Sequence, residues 1–190
     1  MPRLGVIVAS VREGRVGAAV GDWVLECARR HGGFDVELVD LKAVDLPLFS
    51  EPHHPRLQKY TQEKTKAWSA RIAALDAFVV VTPEYNYGSP PALINALDHL
   101  YVEWNYKPLG FVSYGGISGG LRSVQMTKMM LPTFKIVPMV EAVTLPFIAK
   151  ALHDGRFSVD EKTDQSAVTM LDELLRWTNA LSVLRNPISR

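Results

Sequence analysis

Cysteine is almost missing from this chain: Cys27 stands alone among 190 residues, which excludes an internal disulfide framework. An excess of charge of one sign is missing too. Lys and Arg total 21 against 20 Asp and Glu, a formal net charge of +1. Neither nucleic acid nor a membrane surface is therefore expected to recruit the protein electrostatically. Nor is there a long hydrophobic run. Leu4-Gly5-Val6-Ile7-Val8-Ala9 is too short for a signal-peptide core with its cleavage site, and far too short to span a bilayer. The cytoplasm is the expected location. The sequence shows no internal repeat, low-complexity tract or linker, and no Cys/His spacing suited to zinc. It also lacks a Gly-Lys-Ser/Thr phosphate loop and a Gly-x-Gly-x-x-Gly dinucleotide fingerprint.

What is present is ordinary for a folded protein, with 47% hydrophobic and 22% charged residues. The length suits one domain covering residues 1–190. Leu4–Ala9 and Ala77–Val81 are apolar runs without polar alternation, as expected of parallel strands covered on both faces. Phe34–Asp40 alternates with period two, Leu109–Ser113 is a fourth strand, and Ile136–Ala142 a fifth, which Pro138 restricts to an edge or a strand start. Helical spacing links Val16, Val20, Trp23, Val24 and Cys27, so Cys27 reads as a buried thiol and not a redox group. A second stripe runs through Trp68, Ile72 and Leu75. A third joins Leu93, Ala96, Leu97, Leu100, Tyr101 and Trp104, with His99 on its polar flank, and a last helix spans Asp160–Leu184. Five strands alternating with helices predict an α/β fold, a five-stranded parallel sheet with helices on both faces.

Ligands in such sheets bind outside the carboxyl ends of the strands, and three strand ends here are specialised. After strand one, Ser10, Arg12 and Arg15 supply a hydroxyl and guanidinium forks, Gly14 and Gly17 allow close backbone approach, and Val16 leads into a helix. That set suits a phosphate monoester; the alternative is a polar turn with surface arginines. After strand three comes Thr82-Pro83-Glu84-Tyr85-Asn86-Tyr87-Gly88-Ser89-Pro90-Pro91. Pro83 stiffens it, Ser89 is placed to cap the next helix, and Tyr85 and Asn86 suit the face and edge of a heteroaromatic ring. Glu84 reads as a surface charge, an arginine partner or a catalytic acid. After strand four, Ser113-Tyr114-Gly115-Gly116-Ile117-Ser118-Gly119-Gly120 permits positive φ, Gly116 included, and offers a nest of N–H donors. A phosphate at one end and a flat polar heterocycle at the other describe flavin mononucleotide.

Taken together, Ser10-x-Arg12, Pro83-Glu84-Tyr85-Asn86 with Pro91-x-x-x-Asn95-Ala96-Leu97-Asp98, and Ser113-Tyr114-Gly115-Gly116-x-Ser118-Gly119-Gly120 resemble the NAD(P)H-dependent FMN reductase family of flavodoxin-like proteins, over the chain to about Pro146. The resemblance implies non-covalent FMN and electron transfer from NADPH or NADH to a small acceptor: a quinone, an azo compound, a metal oxyanion or free flavin. It implies that the flavin and no protein side chain carries the chemistry, in ping-pong turnover. It assigns Ser10, Arg12, Arg15, Val16 and Gly17 to the phosphate, Pro83, Glu84, Tyr85 and Asn86 to the isoalloxazine, and Ser113, Tyr114, Gly115, Gly116 and Ser118 to its opposite edge. It further implies a homodimer or homotetramer, in keeping with the apolar surplus of Tyr101, Trp104, Tyr106, Met126, Met129 and Met130. One departure stands out: Arg15 and Val16 occupy places where many members carry a second hydroxyl. Two rivals remain, a flavodoxin-like electron carrier without nicotinamide turnover and a flavin-free binding module. The balanced charge disfavours the former, since a carrier is expected to show an acidic docking face.

Overall fold

The computed structural model describes residues 1–153 and 156–185. Its centre is a five-stranded sheet in the order β2-β1-β3-β4-β5, with β1 at Arg3–Val8, β2 at Asp35–Asp40, β3 at Ala77–Pro83, β4 at Pro108–Tyr114 and β5 at Val137–Leu145. All four pairings are parallel. The intervening helices are α1 (Gly17–His31), the short α2 (Leu41–Val44), α3 (Glu63–Ala73), α4 (Pro91–Asp98) and α5 (Leu121–Met130). A two-stranded antiparallel ribbon of β6 (Leu152–His153) and β7 (Arg156–Phe157) follows, and then α6 (Glu161–Arg185). The ribbon was not foreseen from sequence.

Parallel strands need crossovers, and here they bury both faces of the sheet. Ile7, Val80 and Phe111 pack with Trp68, Ile72, Leu93, Leu97 and Val124 of α3, α4 and α5 on one side. Val6, Val79 and Val112 pack with Val20 and Val24 of α1 and Met170 and Leu174 of α6 on the other. Every residue of β3 and β4 is buried, which explains why their sequences show no polar alternation. Cys27 is buried beneath α6, as expected. Edge placement also holds for β5, whose pairing with β4 shifts register between Leu109 and Phe111. Pro138 sits near its start, where a missing N–H is tolerated.

Two expectations need correction. The stripe from Leu93 to Trp104 is not one helix: α4 ends at Asp98, and a separate 3-10 turn carries Val102–Trp104. Leu97, Leu100 and Trp104 are nonetheless all buried, because Trp104 turns back to donate to the Leu97 carbonyl at 3.2 Å and stacks edge-on against Phe78 and Trp68. Such aromatic pairs contribute about 0.5–1.5 kcal/mol each beyond area burial. His99 is not on a polar flank either. It is fully buried, with Nδ1 at 3.2 Å from Thr65 Oγ1 and Nε2 at 3.0 Å from the Pro47 carbonyl. Distant partners satisfy both ring nitrogens, so an apolar site accepts it.

This topology fixes the site. The order 2-1-3-4-5 places the switch point between β1 and β3, where adjacent connections diverge to opposite faces. Val8 pairs with Val81, and Pro83 with Tyr114. The loops following β1, β3 and β4 therefore emerge side by side on one rim.

Candidate functional site

The β1 loop opens with Ser10, which is buried and shares a 2.7 Å hydrogen bond with the Tyr85 hydroxyl. That bond joins the first loop to the second. Arg12 is exposed, its guanidinium 5.8 Å from the centre of the Tyr85 ring. Arg15 is placed differently. Its Nη1 donates to the Ser10 carbonyl at 2.7 Å and to Asp40 at 2.8 Å, and Nη2 reaches the other Asp40 oxygen at 2.5 Å. With its fork committed to Asp40 at the end of β2, Arg15 orders the loop. Val16 stands at the N-cap of α1 with no side-chain cap, and the first turn carries no acidic residue. The leading N–H groups of a helix lack intrahelical acceptors, so α1 presents free donors and a positive dipole end. Gly17 is required for packing: a Cβ there would overlap the Tyr114 hydroxyl. Burial pushes that phenol above its ordinary pKa, keeping it protonated.

The β3 loop is a tight hairpin. Tyr85 and Gly88 exchange backbone bonds of 3.0 and 2.9 Å, with Asn86 and Tyr87 both at positive φ (49° and 71°) between them. Two such residues define the turn that two-residue hairpins favour; Asn suits it and Tyr does not. Glu84 is an arginine partner. Its carboxylate accepts from Ser118 Oγ at 2.9 Å, Arg122 N at 3.1 Å and Arg122 Nε at 2.7 Å. Burial raises its pKa, but the Arg122 and Ser118 bonds outweigh that and hold it below the usual carboxylate range. A carboxyl kept ionised in this way is unsuited to act as an acid. Ser89 does not cap α4, whose N-cap is Pro90. Its hydroxyl turns inward to the Ser123 carbonyl at 3.0 Å and Thr127 Oγ1 at 2.5 Å, fastening the hairpin base to α5.

In the β4 loop, positive φ belongs to Gly119 (58°) and Gly120 (86°), not to Gly116. Gly116 has open space around it, whereas a Cβ on Gly120 would lie 2.8 Å from both N and O of Tyr114. The turn is thus built by the second pair of glycines. Gly115 N donates to the Leu145 carbonyl, Gly119 N to the Gly116 carbonyl and Gly120 N to Ser118 Oγ. Among the described residues, the N–H groups of Gly116, Ile117 and Ser118 have no such acceptor, so fewer donors stand open on this loop than expected. Ser113 is buried in β4, paired with Thr82, and stands behind the loop.

The structure brings Arg12, Glu84, Tyr85 and Asn86 together around an open cleft of about 620 Å³, with Ser89 and Pro91 at its base. Arg122 escaped the sequence reading, as did Asp40; the visible signal for Arg122 was a basic residue in the first turn after the glycines. A phosphate is matched by the uncapped α1 terminus and the free Arg12, and a polar ring edge by Asn86 and the open N–H groups of the β4 loop. The residues present therefore fit FMN.

A doubly wound parallel sheet with this strand order defines a flavodoxin-like α/β protein. Within that class the sequence is specific: residues 2–150 match the NADPH-dependent FMN reductase family, and the chain belongs to it. It is accordingly an FMN-dependent NAD(P)H oxidoreductase. An NAD(P)H-dependent FMN reductase of Schizosaccharomyces pombe is 46% identical over 148 residues, 76% of this chain and 74% of that protein. An NADPH azoreductase of Bacillus sp. (strain OY1-2) is 29% identical over 133 residues, 68% of this chain and 70% of its own length. Among solved structures, the flavoenzyme NAD(P)H:(acceptor) oxidoreductase FerB of Paracoccus denitrificans has the same fold. Its TM-score is 0.73 at 24% identity, covering 95% of this chain and 98% of that one.

Proposed function

We propose that the protein passes electrons from NADPH or NADH to small acceptors of the quinone, azo, metal-oxyanion or free-flavin type, with FMN held in the Arg12–Asn86 cleft. The observation that carries this reading is the convergence of the β1, β3 and β4 loops on one rim, joined by the Ser10–Tyr85 bond at 2.7 Å. FMN supplies, when bound, the two-electron chemistry between nicotinamide and acceptor. The chain's own part is binding and orientation. Arg12 and the N–H groups around Val16 and Gly17 take the phosphate, with Ser10 and Arg15 shaping that loop. Pro83, Tyr85 and Asn86 line the ring on one side, and Tyr114, Gly115 and Gly116 border its other edge, backed by Ser113. The open N–H groups of the β4 loop favour an electron-rich ligand edge there.

We further propose a single domain working as a cytoplasmic homo-oligomer. Met129 (78% exposed) and Met126 on α5 and Val140 (86% exposed) on the edge strand support a partner surface. Among the described residues no helix is long and apolar enough to cross a membrane. The near-neutral charge supports small-molecule partners over nucleic acid. The test is steady-state oxidation of both nicotinamides by the purified, FMN-loaded protein against a panel of the acceptors named above. A loaded protein that oxidises neither nicotinamide with any of them would be an electron carrier.

A further inference from the structure

Glu84 lines the cleft and Ser118 lies in the β4 loop, yet Ser118 bonds to Glu84, and Glu84 in turn bonds to Arg122. Only 7% of the Glu84 side chain is exposed. One of its carboxylate oxygens takes Ser118 Oγ and the Arg122 N–H, and the other takes Arg122 Nε, with Nη2 also at 2.5 Å. Above that pair, the Arg122 guanidinium carbon lies 3.7 Å from the centre of the Tyr87 ring, close enough for a cation–π contact. Glu84 is the residue directly after β3, Ser118 lies midway through the β4 loop, Arg122 is in the first turn of α5, and Tyr87 is at the hairpin tip. One charged cluster thus spans both ring-side loops.

We propose that Glu84 and Arg122 form a clasp that sets the Asn86–Tyr87 tip against the open N–H groups of Gly116, Ile117 and Ser118. The Glu84 carboxylate and the Ser118 hydroxyl then serve ligand binding as positioning groups, since both are committed within the clasp. The mechanism is rigidity: Tyr87 is 70% exposed and held in a backbone conformation that tyrosine disfavours. The Arg122 stack is a side-chain contact on its ring. A fork with a fixed plane can both chelate a carboxylate and carry a ring; lysine has no such plane. This inference rests on the placement of FMN in the cleft given above.

The test is a double-mutant cycle of Glu84→Gln, Arg122→Gln and the pair, with FMN and riboflavin binding followed by fluorescence titration. Arg12→Ala serves as the marker of phosphate contact. Each single clasp variant is expected to weaken FMN and riboflavin by the same factor, about tenfold, the scale of one charge-assisted hydrogen bond. The double variant should be no weaker than the worse single, because the two residues act as one unit. The absorption fine structure of bound riboflavin should blur in all three. Ser118→Ala, a milder change, should cost a few-fold in the wild-type background and nothing further in Glu84→Gln, which keeps the test open if an arginine variant folds poorly. Losses that add across the cycle would overturn the clasp, since independent contacts add. So would unchanged affinity in the clasp variants while Arg12→Ala weakens FMN. If Arg12→Ala also leaves FMN affinity unchanged, the placement of the phosphate is wrong and the clasp falls with it.

Discussion

Replacing Gly120 with alanine separates the architectural glycines of the β4 loop from those that only provide access. Gly120 has φ of 86°, and an added Cβ would sit 2.8 Å from the N and O of Tyr114 and 2.9 Å from Ser113 Cβ. Two of those three atoms are backbone of a fully buried strand, so the neighbour has little room to yield. The left-handed conformation costs an L-residue about 1–2 kcal/mol, and overpacking of a close-packed site costs about 1–3 kcal/mol. Shared relaxation makes these less than additive, giving about 2–4 kcal/mol in all. For a chain of this size that lowers Tm by roughly 5–15 °C. Gly116→Ala is the control: it has no atom within 4 Å and no positive φ, so its stability should stay within about 0.5 kcal/mol of wild type. Urea unfolding of the FMN-free proteins, followed by tryptophan fluorescence, measures both. An unchanged midpoint for Gly120→Ala, or a larger loss at Gly116, would refute this account of the loop.

Arg12→Ala should weaken FMN by roughly ten- to a hundredfold while riboflavin is much less affected, since only the phosphate contact is lost; equal losses for the two ligands in fluorescence titrations would contradict the assignment. Glu51 gives an acid signature. Burial raises its pKa, but bonds from Thr61, Gln62 and Thr65 outweigh this and lower it from 4.5 to about 2. Its stabilisation is therefore complete above pH 4.5 and fades as pH falls towards 2, and the stability gap between wild type and Glu51→Gln should narrow over that window in urea titrations. Lys107 works at the other end. It donates to the Ile72 and Ala73 carbonyls that end α3, while burial and the nearby Arg185 charge lower its pKa from 10.5 to about 8. The folded state then binds fewer protons than the unfolded one between pH 8 and 10.5, so the stability of wild type relative to Lys107→Met should rise across that interval, and a flat difference would show that Lys107 titrates normally.

Much of the fold was legible because burial on both faces leaves a direct mark: β3 and β4 are runs of mostly apolar residues, and turn residues follow each of them. Position on the rim was legible for the same reason, since strand ends carry ligands in this topology. What could not be read were side-chain pairings across the sequence. The Arg15 ion pair was not visible because Asp40, 25 residues on, becomes its neighbour only through β1–β2 pairing. Glu84 had several readings until α5 delivered Arg122. His99 looked solvated because Thr65 and Pro47, its partners, come from separate segments. The helix stripe misled in a different way. Residues 93 to 104 keep helical spacing because α4 and the following 3-10 turn bury side chains toward the same core, so periodicity alone could not see the break at Asp98.

Nicotinamide and acceptor are expected to share the cleft in turn, and the segment beside α4 is tied down. Asn95 donates from Nδ2 to the Pro47 carbonyl at 2.8 Å and accepts from Phe49 N at 2.9 Å, and His99 contacts the same carbonyl at 3.0 Å. Further along, Glu51 is anchored by Thr61 and Gln62 at 2.7 and 3.0 Å. The segment from Pro47 to Glu51 is thus fastened at both ends and is not free to swing out as a second binding surface. A cleft of about 620 Å³ falls within the usual range for one ligand or cofactor site, and hydride transfer needs the reacting atoms about 3–3.5 Å apart. The sequence holds no separate dinucleotide fingerprint to seat the nicotinamide elsewhere. Initial-rate plots at several fixed acceptor concentrations should therefore give parallel lines. Intersecting lines, together with a ternary complex trapped by a non-reducible acceptor analogue, would show that donor and acceptor bind at separate places and that the rigid single-cleft argument fails.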